Sequence, residues 1–231
     1  MKKAVIISVL CLFVSFAHAQ INFGVKLGAN LSRWNGEDVT MVTKTLGSKS
    51  FEYPNYIIGY GGFDNPGDFN YSAGLFFGYQ LFSKLGVQLE ALYAVQGTKF
   101  VGTASIQGSN MKAIEQVDVN QNNTYVKVPL LLKYTLFGGN SSNVSIVAGP
   151  YYAYNLSSDQ NVKIWADVEE YQDEIADLTP EEMDYGVIGG VSVGITQNIS
   201  VDVRYQQGFA QVIEGWTVYN NAFTAHVGYA F

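Results

Sequence analysis

Along most of the chain, apolar and polar side chains alternate with a period of two. Between Tyr219 and Phe231, one parity holds Phe223, Ala225, Val227, Tyr229 and Phe231, and the other holds Thr224, His226, Gly228 and Ala230. That period belongs to a β-strand whose two faces meet different surroundings. Seven earlier segments repeat it: 22–33, 69–82, 86–101, 124–137, 143–156, 184–196 and 199–209. In each, the predicted outward parity is apolar: Val25 and Leu27, Leu75 and Phe77, Leu89 and Tyr93, Val128 and Leu132, Ile146 and Tyr152, Val187 and Val191, Val201 and Val203. Each segment is long enough for the ~9–11 tilted residues that cross a bilayer.

The connections alternate in length. Short turns fall at 83–85, 138–142 and 197–198, and long polar loops at 34–68, 102–123 and 157–183, with a shorter loop at 210–218. The pattern predicts an all-β fold, an eight-stranded antiparallel up-and-down transmembrane β-barrel, with short turns on the periplasmic side and long loops outside. An even strand count then puts both termini in the periplasm. Pro129 and Pro150 fall inside predicted strands, where they require a bulge or a break in the ladder. Glycines 59, 61 and 62, with Asp64-Asn65-Pro66-Gly67, predict a small hairpin in the first long loop.

Composition narrows the class. Hydrophobic residues make up 48% and aromatics 14%, and there are 24 glycines, as expected when half of each strand faces lipid and half a polar interior. Residues 1–19 read as a secretory signal peptide: Lys2 and Lys3, an apolar run, then Ala17-His18-Ala19. The barrel domain is then 20–231. Cleavage removes Cys11, the only cysteine, and leaves eleven basic against twenty acidic side chains, a net charge of −9. No nucleic-acid partner is expected of so acidic a chain, and no disulfide or thiol chemistry remains.

Several stretches resemble the outer-membrane β-barrel domain family of Bacteroidota, the porin-family or PorT-like proteins of OmpX/OmpA-like eight-stranded shape. They are Gly24-Val25-Lys26-Leu27-Gly28, Gln88-Leu89-Glu90, Val128-Pro129-Leu130-Leu131-Leu132-Lys133-Tyr134, Ala148-Gly149-Pro150-Tyr151, Asp184-Tyr185-Gly186 and Val203-Arg204-Tyr205. The resemblance implies the fold and a bacterial outer-membrane location, with no particular activity. It also implies that Phe231 is the terminal aromatic read by the outer-membrane assembly machinery, a first partner. Outer-membrane lipid and lipopolysaccharide are the others, and the barrel is expected to be a monomer.

The inward parity carries the ionisable side chains: Lys26, Glu90, Lys127, Lys133, Asp184, Asp202, Arg204 and His226. An eight-stranded barrel is just wide enough to be filled by side chains, so these charges must pair or hydrogen-bond. The expectation is an ion network that plugs the lumen, with a Glu90–Arg204 pair as one member; the alternative is a narrow ion pathway or a transport accessory. No cofactor, metal or catalytic residue is expected. His226 is the only histidine after residue 19, too few for a histidine zinc site, and no Gly-x-Ser-x-Gly elbow accompanies it. The acidic stretch 167–182 does not match an EF-hand and reads as a solvated loop, although a divalent cation or a cation bridge to lipopolysaccharide phosphates is a further reading. Within it, Thr179-Pro180-Glu181-Glu182 fits the start of a short helix. Aromatics at strand ends, among them Phe82, Tyr93, Phe137, Tyr152, Tyr154, Phe209 and Tyr219, are expected to form interfacial girdles. Trp34, Trp165 and Trp216 are placed in outer loops, where sugar stacking is conceivable.

Overall fold

The computed structural model describes residues 21–42, 50–53, 56–108, 112–139, 142–165 and 180–231. The segment expected to be a signal peptide, 1–19, and most of the acidic stretch, 167–179, lie outside the described residues. The elements are β1 (Ile21–Asn35), β2 (Ser50–Tyr53), β3 (Tyr56–Asp64), β4 (Asp68–Gln80), β5 (Leu85–Gly108), β6 (Lys112–Gly138), β7 (Asn143–Trp165), β8 (Met183–Gly194), β9 (Ile199–Gln211) and β10 (Tyr219–Ala230).

Eight of these strands close a ring in the order β1-β4-β5-β6-β7-β8-β9-β10, with β10 returning to β1. Every pairing is antiparallel. The seam runs in unbroken register from Gly24↔Ala230 to Asn35↔Tyr219. Closure leaves no unpaired edge around the ring, which a strand exposed to lipid could not tolerate.

The burial pattern is inverted relative to a water-soluble protein. Leu27 is 63% exposed and Phe223 60%, whereas Lys26 and Arg204 are each 2% exposed. A continuous apolar outer surface with buried charge is stable only where the surrounding solvent is apolar. The outward faces read from alternation coincide with these exposed residues. Phe82, Phe137, Tyr152, Tyr154 and Phe209 are exposed at the strand ends. No helix among the described residues is long and apolar enough to cross a membrane.

The two prolines sit where ladders are interrupted without a change of register. The β5–β6 ladder skips from Leu89↔Leu130 to Leu92↔Lys127 around Pro129. The β6–β7 ladder skips from Pro129↔Tyr151 to Leu132↔Ala148 around Pro150. Neither proline is at a bulge; each removes a donor.

Two expectations change. Segments 102–123 and 157–165 are not loops: β5, β6 and β7 run on well beyond the bilayer-spanning length, with pairs out to Gln107↔Lys112 and Gln116↔Trp165. The β7–β8 ladder ends at Tyr154↔Met183, so the wall is tall on one side only. The β2–β3 hairpin, expected in the first long loop, joins this wall by pairing β3 with upper β5 from Asp64↔Val101 to Tyr56↔Gly108. Above the apolar band the faces switch: Val117 and Val119 are buried, while Asn120 and Asn122 stand on the other face. A search for apolar outward positions misses a strand whose apolar side has turned inward. Second, no helix starts at Pro180. That residue bridges Ile213, and the Glu181 amide donates to the Val212 carbonyl at 3.1 Å.

Candidate functional site

The lumen is the place where the sequence concentrates chemistry. Alternation forces every second residue of each ring strand inward, so Lys26 from β1, Glu90 from β5 and Asp202 and Arg204 from β9 converge. Lys26 Nζ donates to Glu90 Oε1 at 2.7 Å and to Asp202 Oδ2 at 2.6 Å. Arg204 grips Glu90 with both terminal nitrogens at 2.8 Å, and its Nη2 also donates to Asp202 Oδ2 at 2.7 Å. Gln88 Nε2 donates to Glu90 Oε1 as well. Two positive and two negative groups make a neutral cluster, with all four side chains 3% exposed or less. A fork-to-carboxylate pair of this kind combines strength with fixed geometry. Lys26 Nζ also lies 5.4 Å from the centre of the Phe76 ring.

The other predicted ionisable residues do not join that cluster. Lys127 is held by neutral groups: its Nζ donates to Gln96 Oε1 and Gln206 Oε1, each at 2.6 Å, and sits 5.0 Å from the Tyr151 ring centre. Asp184 accepts from the Tyr151 hydroxyl at 3.1 Å to each oxygen. Tyr151 therefore bridges a buried lysine and a buried carboxylate. The Tyr151→Phe variant should lose about 1.5–3 kcal/mol of stability, because a hydrogen bond to a buried charge disappears. A denaturant titration of the lipid-inserted protein checks this, and an unshifted midpoint would show that Asp184 does not depend on Tyr151.

His226 Nε2 is hydrogen-bonded to Ser72 Oγ at 2.9 Å. The distance suits a nucleophile–base pair, but His226 Nδ1 has no partner among the described residues, so no carboxylate orients the ring. Both side chains are buried, out of reach of a substrate. Lys133 is half-buried in a polar vestibule of about 510 Å³ at the short-turn end, with Asn22, Gln88, Thr135 and Asn143 around it.

The opposite end is closed by apolar side chains. Trp34, Val42, Phe100, Val212, Ile213 and Val218 are all buried, and the Trp34 and Phe100 rings meet edge to face at 5.9 Å. Asp38 Oδ2 accepts from the Thr217 amide at 2.7 Å, which ties the segment after β1 to the β9–β10 loop. Trp34 is thus not a loop residue available for sugar stacking; it is an inward β1 residue of this cap. Trp216 is half-buried in the β9–β10 loop, and the side chain of Trp165 is outside the described set. Between cap and ion cluster, the cavity bordered by Asn30, Arg204 and His226 measures about 20 Å³, room for one water molecule. Among the described residues, no group of three or more His, Cys, Asp or Glu could hold a metal.

Sequence reasoning chose all the charged members but missed their neutral partners Gln88, Gln96, Gln206 and Tyr151. Their inward parity was the available signal.

A family model described as outer membrane protein beta-barrel domain matches residues 16–214. No curated protein matches the sequence. Among solved structures, Ail, the attachment invasion locus protein of Yersinia pestis, aligns over 92% of this chain and 99% of its own at 11% identity and a TM-score of 0.43. Neisserial surface protein A aligns over 90% and 97% at 12% identity and a TM-score of 0.40. OprG from Pseudomonas aeruginosa aligns over 91% and 94% at 15% identity and a TM-score of 0.37.

Proposed function

The chain belongs to the outer membrane protein beta-barrel domain family, and from that premise we propose that it is a closed structural barrel whose work is done by its outer wall and not by its lumen. It is a small β-barrel protein of the bacterial outer membrane. The observation that carries the closed-lumen reading is the Lys26–Glu90–Asp202–Arg204 cluster, which ties β1, β5 and β9 together across the interior. A charge pathway needs mobile charge and water, and these four groups are fixed in place by five hydrogen bonds to one another.

The tall wall of β5, β6 and β7 with the β2–β3 hairpin stands on the outside in this reading, and both termini face the periplasm. The protein acts as a monomer, as an envelope component or through contacts made by that wall, with outer-membrane lipid and lipopolysaccharide around it. The strand motifs from Val128 to Tyr134 and Ala148 to Tyr151 support a place in the porin-family, PorT-like branch. Phe231 serves as the assembly signal. The narrow-channel alternative has the vestibule at Lys133 in its favour.

Planar-bilayer recording of the refolded mature protein decides between them. The expected result is a silent membrane in which heat-modifiable mobility proves insertion. Steady, reproducible single-channel openings would overturn the closed-lumen reading and make Lys26, Glu90 and Arg204 pore-lining residues.

A further inference from the structure

On the outer wall, at the long-strand end of β1, β10 and β9, lies a groove of about 150 Å³ lined by Leu31, Arg33, Pro66, Tyr205, Asn221 and Phe223, with Ala222. Its apolar side is Leu31 together with the Tyr205 and Phe223 rings, whose centres are 4.8 Å apart. Its lip is the turn between β3 and β4. Gly67 there has φ +91°, a backbone shape that favours glycine, and Asn65 Nδ2 fixes the turn by donating to the Trp34 carbonyl at 2.8 Å.

The Arg33 guanidinium and Asn221 Oδ1 face this groove, neither with a partner among the described residues. Arg33 follows Phe23, Val25, Leu27, Ala29 and Leu31 on the outward parity of β1, so it marks the level at which the apolar band gives way to headgroups. It is exposed and makes no ion pair with any described residue. Lys99, the comparable cation at the top of β5, is already held by Asp118 at 2.8 Å. Asn221 is 5% exposed; its Nδ2 donates to the Tyr205 hydroxyl at 2.9 Å, while its Oδ1 has no partner among the described residues. A buried carbonyl oxygen without a donor is costly.

A ligand that answers all of this must bring a negative group for Arg33, an O–H or N–H for Asn221 Oδ1, a ring to lie against Tyr205 and Phe223, and a hydrocarbon tail to continue down past Leu31. We propose that the groove seats the headgroup of a phosphorylated amino-sugar glycolipid of the outer leaflet. The phosphate pairs with Arg33, a sugar hydroxyl or amide N–H donates to Asn221 Oδ1, and the acyl chains join the apolar band. The inference rests on the outer-membrane reading and adds a site and a lipid class to it.

Mature protein in phosphatidylcholine nanodiscs provides the test. Insertion is verified first by heat-modifiable mobility. Lipid A, lipid A stripped of phosphate, phosphatidylglycerol and soluble glucosamine 1-phosphate are then titrated while the NMR amide signals of Leu31, Arg33, Asn221 and Phe223 are followed. The expected result is a saturable shift with lipid A that weakens about tenfold on phosphate removal or in Arg33→Gln, since a charge-assisted contact is lost. Arg33→Lys should recover part of it, and Asn221→Ala should weaken binding with Arg33 intact. Equal binding of phosphatidylglycerol would overturn the proposal in favour of unspecific attraction to anionic lipid. Equally tight binding of glucosamine 1-phosphate would overturn it in favour of a soluble sugar phosphate. Inserted protein with no shift at these residues would also overturn it, whereas protein that stays out of the nanodisc would sink the membrane reading itself.

Discussion

Replacing Glu90 by glutamine is expected to destabilise the inserted barrel by about 3–5 kcal/mol, the range for removing one partner from a buried charge network. Glu90 is the acceptor shared by Lys26 and Arg204. Without its charge, two cations face Asp202 alone in a buried interior that screens charge weakly. The glutamine amide keeps the shape and some of the hydrogen bonds, so the loss measures charge and not packing. Urea unfolding in lipid vesicles, followed by far-UV circular dichroism, reads the effect. Glu90→Gln combined with Arg204→Gln should cost less than the sum of the single changes, because the second substitution removes a cation that the first had stranded. A midpoint for Glu90→Gln indistinguishable from the parent protein would mean that the cluster is not a source of stability.

Trp34→Ala is expected to cost about 3–5 kcal/mol by opening a cavity under the apolar cap. The indole is 3% exposed and packs against Phe100, and the surrounding strands are held by ladders that cannot close around the void. The same titration measures the loss. Limited proteolysis gives a second readout: the β9–β10 loop, tied to the segment after β1 through Asp38 and Thr217, should be cut faster. A variant of parental stability with an uncut loop would show that the cap does not depend on Trp34.

The fold was legible because a transmembrane strand states its two faces in alternate residues, and the bilayer leaves one solution for closing them. Leu27, Leu75 and Val203 marked the lipid side without any knowledge of register. The upper halves of β5, β6 and β7 were not legible for the same reason. There water replaces lipid outside, and Val117 and Val119 carry the apolar side inward, so the pattern reverses within a single strand. In the lumen, parity identified Lys26, Glu90, Asp202 and Arg204 as inward, but contact depends on strand stagger, which short sequence windows do not encode. That Lys127 would rest on Gln96 and Gln206, with Asp184 on Tyr151, required the register of β5, β6, β7, β8 and β9. Trp34 was misplaced because β1 runs two residues past Arg33, to Asn35, which carries the indole inside.

The seam has a consequence for the time course of assembly. Neighbours in the ring are otherwise successive along the chain, apart from the β2–β3 insertion between β1 and β4. Hairpins of that kind zip in about 1–10 μs once their strands are free to pair. The Gly24↔Ala230 register, by contrast, joins positions near opposite ends of the sequence, and its loop-closure entropy is met before any of its pairs form. Closure is therefore the slow event, and until it happens the nascent sheet presents β1 and β10 as two bare edges. Substitutions that weaken the Leu27↔Val227 and Leu31↔Phe223 pairs should lengthen the lifetime of that open sheet, whereas changes in the 195–198 turn should leave it unaltered.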